Sequence, residues 1–221
     1  MLLGINSVHG FGEEKNLSTA LWDSATDLLP EVWEARFIKG VKDGNLDPNF
    51  YGAYIMQDAA WLIEVSKVYE QVANDESAHE ALREYATRRT ASFLKFGQEL
   101  WEDFTVKEDA TIIGTAATNY LNIVNSSTTT YGAPYVMIAT YACTILWDNI
   151  TAELSTMVDS SNPYALWVYN NSGNSGRHAA FIDTWASEWY DLNLSIAIFR
   201  QAMGGEIGLF NLWPTSNHTT L

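Results

Sequence analysis

A single cysteine, Cys143, stands among 221 residues, so no intrachain disulfide can form and nothing points to an oxidising compartment. Cations are scarce as well: 12 Lys and Arg face 27 Asp and Glu, a formal net charge of −15. Nucleic acid and anionic membrane surfaces both require Lys/Arg patches, so neither is expected as a partner. No stretch approaches the ~18 uninterrupted apolar residues of a membrane span. The opening MLLGINSVHGFGEE lacks the charged start and apolar run of a signal peptide, and a cytoplasmic location is expected. Alternating β-branched runs closed by hairpin pairs are missing, as are internal repeats and a Pro/Gly-rich linker. There is no G-x-S-x-G, P-loop or dinucleotide fingerprint.

What is present is apolar and aromatic. Apolar residues make up 47% of the chain, with nine Trp and eleven Tyr, enough for a substantial core and a pocket for a flat ligand. The pattern predicts one all-α domain over residues 16–212, an irregular lead-in over 1–15 and a C-terminal tail over 213–221. Asp47-Pro48 is a helix start, an N-cap followed by proline at the first helical position. Phe50, Tyr54, Gln57, Asp58, Trp61, Leu62, Val65 and Tyr69 then share one helical face. Further helices are expected over 17–33 with a break at Pro30, over 35–46, 77–104, 111–124, 135–157 and 163–169. A last long helix is expected over 178–203. A Ser/Thr-rich joint is predicted at 126–130, and Gly204-Gly205 should end the last helix before a short turn over 206–210.

Four side chains carry the chemistry, each with an ordinary alternative. Asp58 sits on an apolar face, where an ionised carboxylate costs several kcal/mol (roughly) unless paired. It is either a site acid or an Asp satisfied by a Tyr hydroxyl or a helix terminus. Cys143 lies on the most apolar helix, as a nucleophile if a polar group activates it or as a small hydrophobe otherwise. Glu206 is a charge in an apolar tail, or a carboxylate favoured by the start of a short helix. Tyr120 is a site hydroxyl or a half-buried aromatic. Glu76 and His79 have a spacing that metal ligands use, but no second pair appears on a later helix, so no metal and no cofactor are expected.

In order, Phe37-Ile38-x-Gly40, Asp43-Gly44-x-Leu46, Phe50-x-x-x-Tyr54-x-x-Gln57-Asp58, Trp61-Leu62, Ala142-Cys143-x-x-Leu146 and Pro163-Tyr164-x-x-Trp167 run along the chain. This series resembles the TenA/THI-4 (thiaminase II) family of the haem-oxygenase-like all-α fold, over roughly residues 20 to 212. The resemblance implies hydrolysis at the methylene carbon of a 4-amino-2-methylpyrimidine, either an aminopyrimidine or thiamin, in thiamin salvage. It implies that Cys143 adds to the pyrimidine ring and that Asp58 contacts the ring nitrogen and amino group. Tyr120 would hydrogen-bond the thiol, and Glu206 would move protons to the leaving group and the attacking water. Tyr54 and Trp61 would line the ring site, Trp61 standing where the family has a tyrosine. A second pocket tyrosine falls at Asn171, or at Tyr169 if the helix is two residues shorter. The resemblance also implies a homotetramer.

The chain departs from the family pattern around the cysteine. Ala142 replaces a proline, and Asn149-Ile150-Thr151 replaces a Glu-Ile/Val-Gly run. A hydrolase of the thiaminase II type is the expected activity. The alternatives are a TenA-like protein that binds without turnover, a TenA-like enzyme with another substrate, and a metal-dependent oxidase.

Overall fold

A computed structural model describes residues 16–103, 112–171 and 173–212. The predicted lead-in over 1–15, the tail over 213–221, and the helix limits at Phe104 and Thr111 lie outside the described residues. Eleven α-helices and one 3-10 turn follow one another, with no strand among the described residues. They are α1 (Leu17–Asp23), the turn Thr26–Leu28, α2 (Leu29–Glu34), α3 (Arg36–Lys42), α4 (Pro48–Asn74) and α5 (Glu80–Asp103). After them come α6 (Thr115–Tyr131), α7 (Tyr135–Met157), α8 (Ala165–Asn170), α9 (Gly176–Thr184), α10 (Ala186–Trp189) and α11 (Leu192–Phe210). None of these helices is long and apolar enough to cross a membrane.

Local chemistry sets the starts of α2, α4 and α11. The Asp47 side chain accepts from the Asn49 N–H at 2.8 Å and opens α4 at Pro48. Asp191 does the same for α11 through the Leu194 N–H. Pro30 does not interrupt a helix: it occupies the first turn of α2, where its missing N–H leaves no bond unmade. The expected joint at 126–130 is helical, because Ser127, Thr128 and Thr129 donate their hydroxyls to carbonyls four residues back instead of competing for the backbone.

The last expected helix is wrong at both ends. Residues 178–203 are split among α9, α10 and α11, and Gly204-Gly205 continues α11 to Phe210. Gly205 is there for close packing: a Cβ at this position would meet the Tyr120 ring carbons at 2.6 Å.

The core forms where α4 lies along α5 and where α11 packs against α6 and α7. Helix α7 is buried almost all round from Tyr135 to Ala142, as expected of a central helix. Few polar bonds cross this core, and each one fixes a register. The Tyr69 hydroxyl pairs with Thr140 Oγ1 at 2.6 Å, tying α4 to α7. The buried His178 bonds the Met137 carbonyl at 2.9 Å and Thr144 Oγ1 at 3.1 Å, tying α9 to α7 beside Cys143. Asp183 accepts from the Ser18 N–H and hydroxyl and closes α9 on α1.

Candidate active site

Asp58 and Leu62, one turn apart on α4, form one wall of a cavity of about 380 Å³. Phe93 and Phe96 of α5 face them. Cys143 and Trp147, one turn apart on α7, form the floor, and Trp167 and Asn171 of the α8 segment close the remaining side. Four aromatic rings, an acid and a thiol thus open into one space, whose remaining side is polar, with Arg89, Ser92, Thr144 and Asn174. Such a shape fits a small flat ring better than a chain.

Glu206 lies behind this wall, 2% exposed and in the C-terminal half of α11. That position corrects the reading of a carboxylate at a helix start, since Gly204-Gly205 does not end the helix and no helix N-terminus supports the charge. Its Oε1 has no hydrogen-bond partner among the described residues. Burial, with the Asp58 charge adding to it, pushes the Glu206 carboxyl up to about 8, and contacts from the Tyr120 hydroxyl and Cys143 thiol pull it partly back. Burial alone pushes Asp58 up to about 7. The Cys143 thiol rises well above its ordinary value through burial and then through the charges of Glu206 and Asp58, while Arg89 draws it down. Two carboxyls and one thiol therefore feel one another within a desolvated cluster.

Tyr120 is wholly buried, its ring stacked on Trp61 at 4.5 Å; its hydroxyl donates to the Ala139 carbonyl at 3.4 Å and lies near the Glu206 carboxyl and the Cys143 backbone. Tyr54 is also wholly buried and, against the expectation that it lines the ring site, is not among the residues that line the cavity. Its ring stacks on Phe37 at 3.7 Å, and its unpartnered hydroxyl feels Asp58, Glu206 and Cys143. Asp58, Cys143, Glu206, Tyr120 and Tyr54 are thus gathered from four helices.

The remaining candidates behave differently. Trp61 is 1% exposed and backs Tyr120 instead of lining the cavity, which corrects its expected contact with the ring. Tyr169 is half exposed and donates its hydroxyl to the Val158 carbonyl at 3.1 Å, away from the cavity. Asn171 takes the wall position, with its amide bonded to the Trp167 carbonyl at 2.8 Å. Gln57, next to Asp58 in sequence, turns aside to bond the Gly114 N–H and Ile112 carbonyl before α6.

Sequence reasoning passed over Phe93, Phe96, Trp147 and Asn174 as wall residues, and His178 as the anchor of Thr144. No signal in the sequence marked them, since the aromatics keep ordinary core spacing; once folded, Phe96 remains 41% exposed beside the cavity. His79 accepts from the Ala81 N–H and packs its ring at a tilt against Trp185, so its spacing from Glu76 reflects the start of α5. Among the described residues, no group of three His, Cys, Asp or Glu side chains is placed to hold a metal ion.

No protein-family model and no curated protein sequence matches this chain. Solved structures do. A TenA homologue from P. horikoshii superposes with a TM-score of 0.74 over 89% of this chain and 97% of its own, at 15% identity. A protein from a Silicibacter species, described as a TenA family transcription regulator, superposes with a TM-score of 0.68 over 86% of this chain and 94% of its own, at 17% identity. The chain therefore has a TenA-like all-α fold.

Proposed function

We propose that this chain is a hydrolase of the thiaminase II type, acting on a 4-aminopyrimidine through Cys143. The observation that carries the reading is the position of Cys143, open to an aromatic cavity between the Asp58 carboxyl and the buried Glu206. A protonated Asp58 hydrogen-bonds the ring nitrogen and gives it a proton as the sulfur adds to the ring. An ionised Glu206 takes the thiol proton, since the free thiol is held in its neutral form by burial and then by the charges of Glu206 and Asp58. Loss of aromaticity then lets the amine leave from the methylene carbon, carrying the proton that Glu206 held. Water adds to that carbon and returns a proton to Glu206. The sulfur departs with that proton, Asp58 recovers its own, and the ring is restored. In sum, a C–N bond becomes a C–O bond at the cost of one water.

One proton shared between Asp58 and Glu206 serves this cycle: with Asp58 pushed up to about 7 and Glu206 to about 8 it rests mostly on Glu206, and the reactive form is the less populated one that has the proton on Asp58. Tyr120 holds the thiol and Glu206 in register, Tyr54 supplies a second hydroxyl beside them, and Trp61 fixes the Tyr120 ring. Asn171 stands on the wall where the family pattern has a tyrosine. A homotetramer in the cytoplasm belongs to the same proposal, and light scattering tests the assembly.

The test is product formation from 4-amino-5-aminomethyl-2-methylpyrimidine and from thiamin. Wild type should turn over at least one of them. Cys143→Ser, nearly isosteric, should abolish turnover while leaving the melting temperature within a few degrees. Asp58→Asn should lose pyrimidine binding. Binding of the pyrimidine without turnover by wild type would instead assign a sensing role, a reading favoured by the thiol being held neutral in the free protein.

A further inference from the structure

A second cavity of about 430 Å³ adjoins the first and shares four of its residues, Arg89, Ser92, Thr144 and Asn174. Its other walls bring in Arg88 and Arg177, with Tyr85 and His178 behind. Three of the chain's 12 cationic side chains thus meet at one hollow in a protein of net charge −15, and among the described residues no carboxylate lines it. Cations spread by chance over so acidic a surface would be expected to sit beside acids. Here Arg89 and Arg177 have no carboxylate within ion-pair distance among the described residues. Arg88 has only a loose contact with Glu84, 3.9 Å long between two side chains more than 60% exposed.

Arg89 is the hinge between the two spaces. Its guanidinium stacks 4.2 Å over the Phe93 ring and reaches the Thr144 hydroxyl at 3.4 Å, one residue from Cys143. Its Nε is buried with no partner. Its charge is felt both by the Cys143 thiol and by His178, on opposite sides. Thr144, at the divide between the cavities, is itself held by His178 at 3.1 Å. Guanidinium groups with open donors, flanked by the Ser92 and Thr144 hydroxyls and the Asn174 amide, form a donor-rich site suited to a multi-oxygen anion.

Resting on the proposed reaction, we infer that the substrate spans both cavities and that its leaving portion carries a phosphoryl group held by Arg88, Arg89 and Arg177. The pyrimidine lies against Asp58 and Cys143, the bond to be cleaved passes over Thr144, and the phosphoryl oxygens meet the arginines. The volume of the second cavity accommodates a phosphate or diphosphate with part of the group bearing it, and exceeds what a carboxylate alone would fill. Arg89 then acts in both spaces, steadying Cys143 on one side and binding the anion on the other.

Calorimetry at low ionic strength on the full chain tests this with four probes. The uncharged 4-amino-5-hydroxymethyl-2-methylpyrimidine reports the ring cavity, inorganic pyrophosphate reports the arginine cavity, and thiamin beside thiamin monophosphate reports their connection. The comparison protein is Arg88→Gln/Arg177→Gln, two exposed positions that line only the second cavity. Wild type should bind pyrophosphate at one site, and the double variant should bind it about tenfold or more weaker while binding the pyrimidine alcohol as wild type does. Thiamin monophosphate should bind about tenfold or more tightly than thiamin in wild type, with the advantage lost in the double variant. Equal pyrophosphate binding by both proteins, or none by either, overturns the inference and leaves the pyrimidine reading standing. No gain of thiamin monophosphate over thiamin also overturns it, since the two cavities would then not serve one ligand. Pyrophosphate binding that the double variant loses, without any binding of the pyrimidine alcohol, sustains the anion site and instead removes the proposed reaction.

Discussion

The Tyr120 ring lies so close over Gly205 that a methyl group there would come within 2.6 Å of its carbons. The ring cannot retreat, because Trp61 is stacked on it at 4.5 Å. Gly205→Ala should therefore cost roughly 1–3 kcal/mol through overpacking and lower the melting temperature by several degrees. At Gly204 and Gly208 a Cβ would meet nothing within 4 Å, so alanine there should raise stability by up to ~1 kcal/mol through helix propensity. Thermal melts of the three variants decide the matter, and equal gains at all three would mean that Tyr120 is not held against α11.

The two raised carboxyls set a narrow working range. Below about pH 7 Asp58 and Glu206 are both protonated, and Glu206 cannot take the thiol proton. Above about pH 8 both are ionised, and Asp58 cannot donate to the ring. A bell-shaped kcat/KM with its maximum between these values is expected, its limbs belonging to the pair and not to either residue. Glu206→Gln should flatten the acid limb along with the rate. A profile that is level from pH 6 to pH 9 would remove the shared proton from the mechanism.

Helix α4, its cap at Asp47 and the aromatic face around Asp58 were legible because capping chemistry and a 3.6-residue period are local signals. The split of residues 178–203 was not, since Trp185, Trp189 and Tyr190 preserve the apolar pattern while the backbone changes direction. Gly204-Gly205 read as a stop because propensity disfavours glycine in a helix, and the Tyr120 ring that requires Gly205 comes from α6, far earlier in the chain. The polar cluster could be guessed residue by residue, as each member is a charge or thiol in an apolar setting. Its walls could not: Phe93, Trp147 and Trp167 look like any core aromatic until the helices are placed. Tyr169 and Asn171 show the same limit, for two residues on a helix decide which one faces the cavity.

Glu206 also makes stability depend on pH. Its ordinary value is 4.5, and in the folded chain it holds its proton up to about 8. Over that interval the folded state binds more protons than the unfolded one, so its contribution falls as pH rises and levels off above about 8. Asp58 acts in the same direction between 3.8 and about 7. At roughly 1.4 kcal/mol for each unit of displacement, Glu206→Gln should gain a few kcal/mol relative to wild type between pH 5 and pH 9. Melting curves at the two pH values measure the gain. Parallel behaviour of the two proteins would show that the folded chain tolerates an ionised Glu206.

The cavity wall after α8 depends on one carboxylate. Asp148 accepts from the Ser175 N–H at 2.9 Å and from its hydroxyl at 2.6 Å, and Gly173 passes so close that a Cβ would lie 2.7 Å from the Asp148 Cα. These contacts press Asn171, Gly173 and Asn174 against the space that Cys143 opens into. Asp148→Ala removes two hydrogen bonds, a charge-assisted pair worth roughly 1.5–3 kcal/mol, and frees the segment without touching the acids or the thiol. KM should rise several-fold while kcat changes little, because the wall binds the ring and takes no part in proton transfer. Gly173→Ala should give the same split, since the clash with the α7 backbone drives the segment outward. A fall in kcat at constant KM in both variants would place the segment in the chemical step and not in the wall.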